Sequence, residues 1–165
     1  MNTIFDIIGP IMIGPSSSHT AGAARLGNMA HCIFRGVPSR VELTLYGSFA
    51  KTYKGHGTDK ALLAGLLGFQ EDDARIRVAD ELAKRDNMDY EFIESPLEVD
   101  HPNVVKFDMY DTGHRHMTVV GRSLGGGRIM ITQVDGVDME ITGDEFTVVV
   151  FHEDRPGVIS LVTQV

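Results

Sequence analysis

Residues 104–141 read VVKFDMYDTGHRHMTVVGRSLGGGRIMITQVDGVDMEI, and this stretch decides the fold class. Val104–Tyr110, His116–Arg122, Arg128–Val134 and Val137–Ile141 read as short strands, rich in β-branched and apolar residues and separated by Gly/Asp turns. Gly125-Gly126-Gly127 and Asp135-Gly136 have the composition of hairpin turns, because glycine reaches the positive φ angles that tight turns require. Just upstream, Tyr90–Ile93 reads as one more short strand. The second half of the chain is a meander of strands.

Toward the N-terminus the period changes. Ala21, Ala24, Arg25, Leu26, Met29, Ala30, Ile33 and Phe34 recur at helical spacing, and Gly36 with Pro38 ends that helix. Val41–Tyr46 alternates as a strand. Gly47–Asp59 is glycine-rich and is expected to form a tight loop, with Thr58 capping a second helix through Leu67. Ile76, Val78, Ala79, Leu82 and Ala83 mark a third helix over residues 73–85. Residues 4–13 are an apolar segment, either strand or short helix. Helices early and strands late predict an α+β domain over residues 1–143, with helices packed on a mixed or antiparallel sheet. The sequence carries no internal repeat and no low-complexity tract.

The composition narrows the function. The chain has 165 residues, enough for one modest domain or one domain and part of another, and 42% are hydrophobic, enough for a packed core. Fifteen Lys+Arg against 23 Asp+Glu leave a formal charge of −8, which opposes nonspecific nucleic-acid binding. The apolar start has no positive leading region and is interrupted by Pro10 and Pro15, so neither a signal peptide nor a membrane span is expected. A cytoplasmic location is expected. Cys32 is the sole cysteine, which excludes an intrachain disulfide and supplies too few thiolates for an iron–sulfur cluster. Lying near Met29, Ile33 and Phe34, it reads as a buried small hydrophobe.

Two motifs carry chemistry. Gly14-Pro15-Ser16-Ser17-Ser18-His19-Thr20 opens a helix, where unpaired amides and the helix dipole favour an anion and the hydroxyls add donors. The plainer alternative, one serine capping the helix, leaves two hydroxyls and His19 unexplained. Lys54-Gly55-His56-Gly57-Thr58-Asp59 is also expected to lead into a helix, with Gly55 and Gly57 allowing close approach of a ligand and His56 able to act as acid, base or donor. Its plainer reading is a glycine-rich turn with an exposed histidine. Two such helix starts, each with one histidine, suggest convergence on one ligand. His114 and His116 fall on one face of a strand edge, a metal-compatible spacing, but no local carboxylate or cysteine completes a set, and a structural or surface role is favoured. His101-Pro102-Asn103 reads as a turn.

GPSSSHTAG at 14–22, together with Gly47-Ser48-Phe49-Ala50 and Lys54–Asp59, resembles the beta chain of iron–sulfur-dependent L-serine dehydratases; His101-Pro102-Asn103 fits as well. The resemblance covers roughly residues 1–145. It implies deamination of L-serine to pyruvate and ammonia, with a 4Fe–4S cluster supplying Lewis acidity at the substrate hydroxyl. With Cys32 alone, the cluster is expected on a separate alpha chain, and this chain alone is expected to be inactive. Ser16, Ser17, Ser18, His19 and Thr20 are then expected to form a polar wall mainly holding the serine carboxylate, with His19 a catalytic candidate beside His56. His56, Thr58 and Gly55 would supply a second wall, with His56 handling a proton or orienting the substrate and Asp59 binding substrate or orienting His56. The same domain type resembles the allosteric substrate-binding domain of some phosphoglycerate dehydrogenases. That likeness gives the rival reading, a regulatory amino-acid-binding module without catalytic work.

Beyond Gly143-Asp144-Glu145, which reads as a linker, Phe146–Phe151 is expected to be a buried strand and Val158 to begin a helix. Residues 146–165, with Asp154-Arg155-Pro156-Gly157-Val158, look like the start of a ferredoxin-like ACT domain, a module that commonly binds amino acids and pairs through its sheets. Contacts between copies of the chain are expected from that resemblance.

Overall fold

The computed structural model describes residues 10–150, 152–153 and 155–164, so the expected element at 4–13 lies largely outside the described residues. Ser17–Ala21 forms a π-helical turn that runs directly into α1 (Gly22–Phe34). β1 (Arg40–Tyr46) follows, then α2 (Gly47–His56), α3 (Thr58–Leu66), a 3₁₀ turn (Ala74–Val78) and α4 (Ala79–Arg85). The strands β2 (Asp89–Glu94), β3 (Asn103–Tyr110), β4 (His116–Gly125), β5 (Arg128–Val134) and β6 (Val137–Ile141) complete a six-stranded sheet in the order β2-β1-β3-β4-β5-β6. The sheet is mixed. β1 and β2 run parallel because the helices between them carry the chain back to its starting end, whereas β3 to β6 are joined by short turns and pair antiparallel.

Alternation sets the faces. Val41, Leu43 and Leu45 of β1 sit opposite Met109, Phe107 and Val105 of β3, and all six are buried beneath the helices. Glu42, Thr44, Lys106 and Thr118 point to the other face, which is polar, as antiparallel sheets with one covered side allow. α1 and α3 pack most closely, at Gly27 and Gly65, where a Cβ on either would strike the other helix's backbone.

Several expectations change. Gly47–His56 is a helix, not a loop: Phe49, Ala50 and Tyr53 fall on one face and are buried, and Gly55 is accommodated within its last turn. The expected helix over 73–85 divides into a 3₁₀ turn and α4. Cys32 is exposed, since the buried face of α1 runs through Leu26, Gly27, Ala30 and Phe34. Residues 146–150 form no strand and are exposed, because no neighbouring strand among the described residues offers them backbone partners. α5 (Val158–Thr163) does form, with Ile159 and Leu161 exposed. Among the described residues no helix is long and apolar enough to cross a membrane.

Candidate functional site

Ser16 starts the first helix in extended conformation, and its Oγ accepts the amide hydrogen of His19 at 3.1 Å. The π turn that follows is held by the β4–β5 hairpin. Gly126 N–H donates to Ser17 Oγ (3.3 Å), Gly127 N–H to the Ser17 carbonyl (3.2 Å), and Ser123 Oγ to the Ser18 carbonyl (2.9 Å). The glycine run between β4 and β5 therefore brings backbone against the serine-rich turn. Gly22 completes the fit, since a Cβ there would collide with the Ser123 side chain.

This grip aims His19 across the molecule. Its Nδ1 lies 3.0 Å from Ser18 Oγ, which is 3.3 Å from Ser16 Oγ, and its Nε2 lies 3.0 Å from Ser48 Oγ. Phe49 packs edge-on against the ring at 5.2 Å, and the ring of His56 stands 5.0 Å away, tilted by 40°. Thr20, buried, donates its hydroxyl hydrogen to the His56 carbonyl at 3.2 Å, tying the two motifs together. A cleft of about 290 Å³ opens beside this tie, lined by Gly14, Thr20, Gly55, His56 and Lys60 among others.

His56 is exposed and ends α2; after Gly57, α3 begins at Thr58, so the motif leads into a helix as expected, but a helix and not a loop precedes it. Gly57, at φ 68°, makes the hinge between the two helices. His56 Nδ1 lies 3.3 Å from the Thr52 carbonyl. A carbonyl only accepts, so Nδ1 carries the hydrogen and the neutral ring keeps its lone pair on Nε2, the arrangement a proton acceptor needs. At Gly55 a Cβ would meet nothing within 4 Å, so this glycine leaves open space on the cleft side.

The other expected residues take different places. Thr58 is wholly buried with its hydroxyl unpartnered, so it supports the hinge from within instead of lining the cleft. Asp59 accepts the Lys60 amide at 2.8 Å, and no hydrogen bond joins it to His56; burial holds its carboxyl above the usual range. His114 sits in the turn before β4 at φ 65°, so it does not share a strand face with His116. His116 stacks on Tyr110 at 4.6 Å, with Nε2 3.5 Å from Asp108. Among the described residues no three His, Cys, Asp or Glu side chains come together as a metal site. The His101-Pro102-Asn103 turn seats α2: the Pro102 carbonyl accepts the amides of Ser48 (2.6 Å) and Phe49 (3.3 Å). Ser48 belongs to the Gly47-Ser48-Phe49-Ala50 motif but is absent from the expected site residues. Its signal was its place two residues after the strand end at Tyr46 and directly before the buried pair Phe49 and Ala50.

Burial, and secondarily the neighbouring His56, hold the His19 pKa below its ordinary value near 6.5. The unfolded chain therefore takes up this proton at higher pH than the folded one. The resulting stability is complete above the ordinary value and is lost as pH falls through the folded value. Urea midpoints should decline between neutral pH and mild acid, and His19→Asn should flatten that decline. An unchanged slope in the variant would assign the decline to other groups.

The family model described as "Serine dehydratase beta chain" matches residues 3–92, a span that includes both motifs. The chain is 46% identical over 164 residues to the "Probable L-serine dehydratase, beta chain" of Bacillus subtilis, covering 99% of this chain and 74% of that one. It is 44% identical over 160 residues to the "L-serine dehydratase, beta chain" of Peptoniphilus asaccharolyticus, covering 96% and 72%. It is 43% identical over 74 residues to "L-serine dehydratase 2" of Escherichia coli, covering 41% of this chain but 16% of that protein.

Proposed function

The chain belongs to the serine dehydratase beta-chain family, and from that premise we propose that it supplies part of the substrate site of an enzyme deaminating L-serine to pyruvate and ammonia. The observation that carries this reading is the meeting of His19 and His56 from two separate motifs, their rings 5.0 Å apart, with His56 and Thr20 lining the cleft and His19 behind them. Hydroxyls and first-turn amides at Ser16–Ser18 suit a carboxylate. His56, with its Nε2 lone pair free, takes or relays a proton or orients the substrate. Gly55 lets the ligand approach, while Thr20 and Thr58 hold the walls in register.

A 4Fe–4S cluster does not fit this chain's donors. Cys32 is its only cysteine and is exposed on α1, and no three ligating side chains converge among the described residues. The reading therefore places the cluster on an alpha-chain partner. Support comes from the Escherichia coli relative, whose name specifies no chain and in which the similar stretch is a minor part of the length. The reading also takes residues 146–165 as the opening of an ACT domain, whose sheet would cover the exposed Val148, Ile159 and Leu161 and bring copies of the chain together. A cytoplasmic location completes it.

Reconstitution tests the division of labour. Co-expressed anaerobically with the alpha chain, this chain should be required for pyruvate formation from L-serine. Alone, offered iron and sulfide, it should develop no cluster absorption and turn over no serine. Stoichiometric cluster uptake by the isolated chain, or full activity of the alpha chain without it, would overturn the proposal. If the chain is purely regulatory, its omission should change only the cooperativity of the serine response.

The adjacent serines should separate in effect. Ser18→Ala removes a hydroxyl proposed to hold the serine carboxylate, and a hydrogen bond to such a charged group is worth about 1.5–3 kcal/mol. In the reconstituted enzyme kcat/KM should fall about tenfold or more, with little change in the urea midpoint. Ser17→Ala instead frees the Gly126 amide and should cost about 1 kcal/mol of stability. Wild-type kinetics in a variant carrying both Ser17→Ala and Ser18→Ala would reduce these serines to a helix cap.

A further inference from the structure

We infer that Ser48 is a positioning residue that fixes the tautomer and ring plane of His19 against His56. This rests on the reading that places His19 in the serine site. Both nitrogens of His19 face hydroxyls at 3.0 Å, Ser18 on one side and Ser48 on the other. A neutral imidazole has one donor and one acceptor nitrogen, so one of the two hydroxyls donates to the ring while the other accepts from it, and removing either releases that constraint. Their anchoring differs. Ser18 is the neighbour of His19 in the same π turn and moves with it. Ser48 belongs to a different element and makes the one side-chain hydrogen bond, among the described residues, from the His19 ring to a separate part of the fold.

Ser48 is also held firmly. Its amide donates to the Pro102 carbonyl at 2.6 Å, and its own carbonyl accepts the Thr52 hydroxyl hydrogen at 2.8 Å. Gly47 before it turns at φ 57°, where a Cβ would stand 2.6 Å from the Pro102 oxygen, so strand end, turn and helix start are locked together. Thr52 then continues the contact, since its carbonyl orients His56 Nδ1. One turn of α2 thus sets both rings: Ser48 holds His19 and Thr52 holds His56. Displacing either ring by a fraction of its 5.0 Å separation would disturb any proton path between them.

The test uses the full chain labelled with ¹⁵N-histidine, and the complete enzyme for kinetics. His19 resonances are assigned by their loss in His19→Gln. In the wild type the two His19 nitrogens should show the widely separated shifts of a single neutral tautomer near neutral pH. Ser48→Ala should bring those shifts together as tautomers mix, and Ser48→Thr should restore the separation. In the reconstituted enzyme Ser48→Ala should lower kcat/KM for L-serine by about ten- to a hundredfold and move the pH–rate profile, again with recovery in Ser48→Thr. Urea midpoints matching the wild type exclude a folding effect. Separated shifts persisting in Ser48→Ala would overturn the inference, as would mixed tautomers with unchanged kinetics. Wild-type kinetics in His19→Gln would overturn the functional reading itself, a failure distinct from that of Ser48 alone.

Discussion

Replacement of His56 by Asn in the complete enzyme should lower kcat on the order of 10²-fold or more, the usual scale for loss of a general acid or base. Asn keeps one donor and one acceptor but does not titrate near neutral pH. The backbone has reason to stay in place, because Thr20 holds the His56 carbonyl and Gly57 makes the following turn whatever side chain precedes it. The ring is exposed, so little packing is lost. A fall in kcat should therefore come with a shift of the neutral limb of the pH–rate profile. If His56 only orients serine, KM rises and that limb stays. If the contact is regulatory, kcat is kept and the cooperativity of the serine response changes. Wild-type rate, KM, pH profile and cooperativity together would remove His56 from the site.

The sheet was legible because its strands state their own register. Val41, Leu43 and Leu45 must share a face, as must Val105, Phe107 and Met109, and the structure sets the two triplets against each other. The parallel edge pair of β1 and β2 was not legible, since it depends on where four helical segments return the chain. Gly47–His56 misled by composition. Three glycines in the thirteen residues Gly47–Asp59 suggest a loop, yet Phe49, Ala50 and Tyr53 already carry helical spacing, and burial of that face outweighs the modest helix penalty of Gly55. Cys32 misled because it neighbours buried residues in sequence while a helix sends it to another side. At the site, the pairing of His19 with His56 followed from the two motifs, but its means did not. The hairpin glycines, Ser123 and the Pro102 carbonyl act through backbone atoms and contacts 53 to 110 residues apart, and residue types alone do not announce those.

Gly65→Val should unfold the chain or bring it close to unfolding, although the substitution lies inside a helix where glycine is intrinsically the poorer residue. Ordinarily a side chain in place of glycine stabilises a helix interior by up to about 1 kcal/mol. Here a Cβ would overlap the Ala24 carbonyl oxygen, stand 2.5 Å from the Asn28 nitrogen and 2.7 Å from the Gly27 carbonyl carbon. All three are backbone atoms of α1, so no rotamer change relieves the contact; the helices must separate. Overpacking a core typically costs about 1–3 kcal/mol, and a clash with rigid backbone belongs at or beyond the top of that range. Whole-domain stability is about 5–15 kcal/mol, so the loss is a large part of it. The site should suffer too, because α1 continues the turn bearing His19 and α3 follows the hinge beside His56. Any folded fraction should therefore have reduced kcat/KM in the complete enzyme. Gly36→Ala, where an added Cβ meets nothing within 4 Å but φ is +141°, supplies the contrast of backbone strain without collision and should be much milder. A wild-type urea midpoint for Gly65→Val would show that the α1–α3 crossing is not as close as its backbone contacts require.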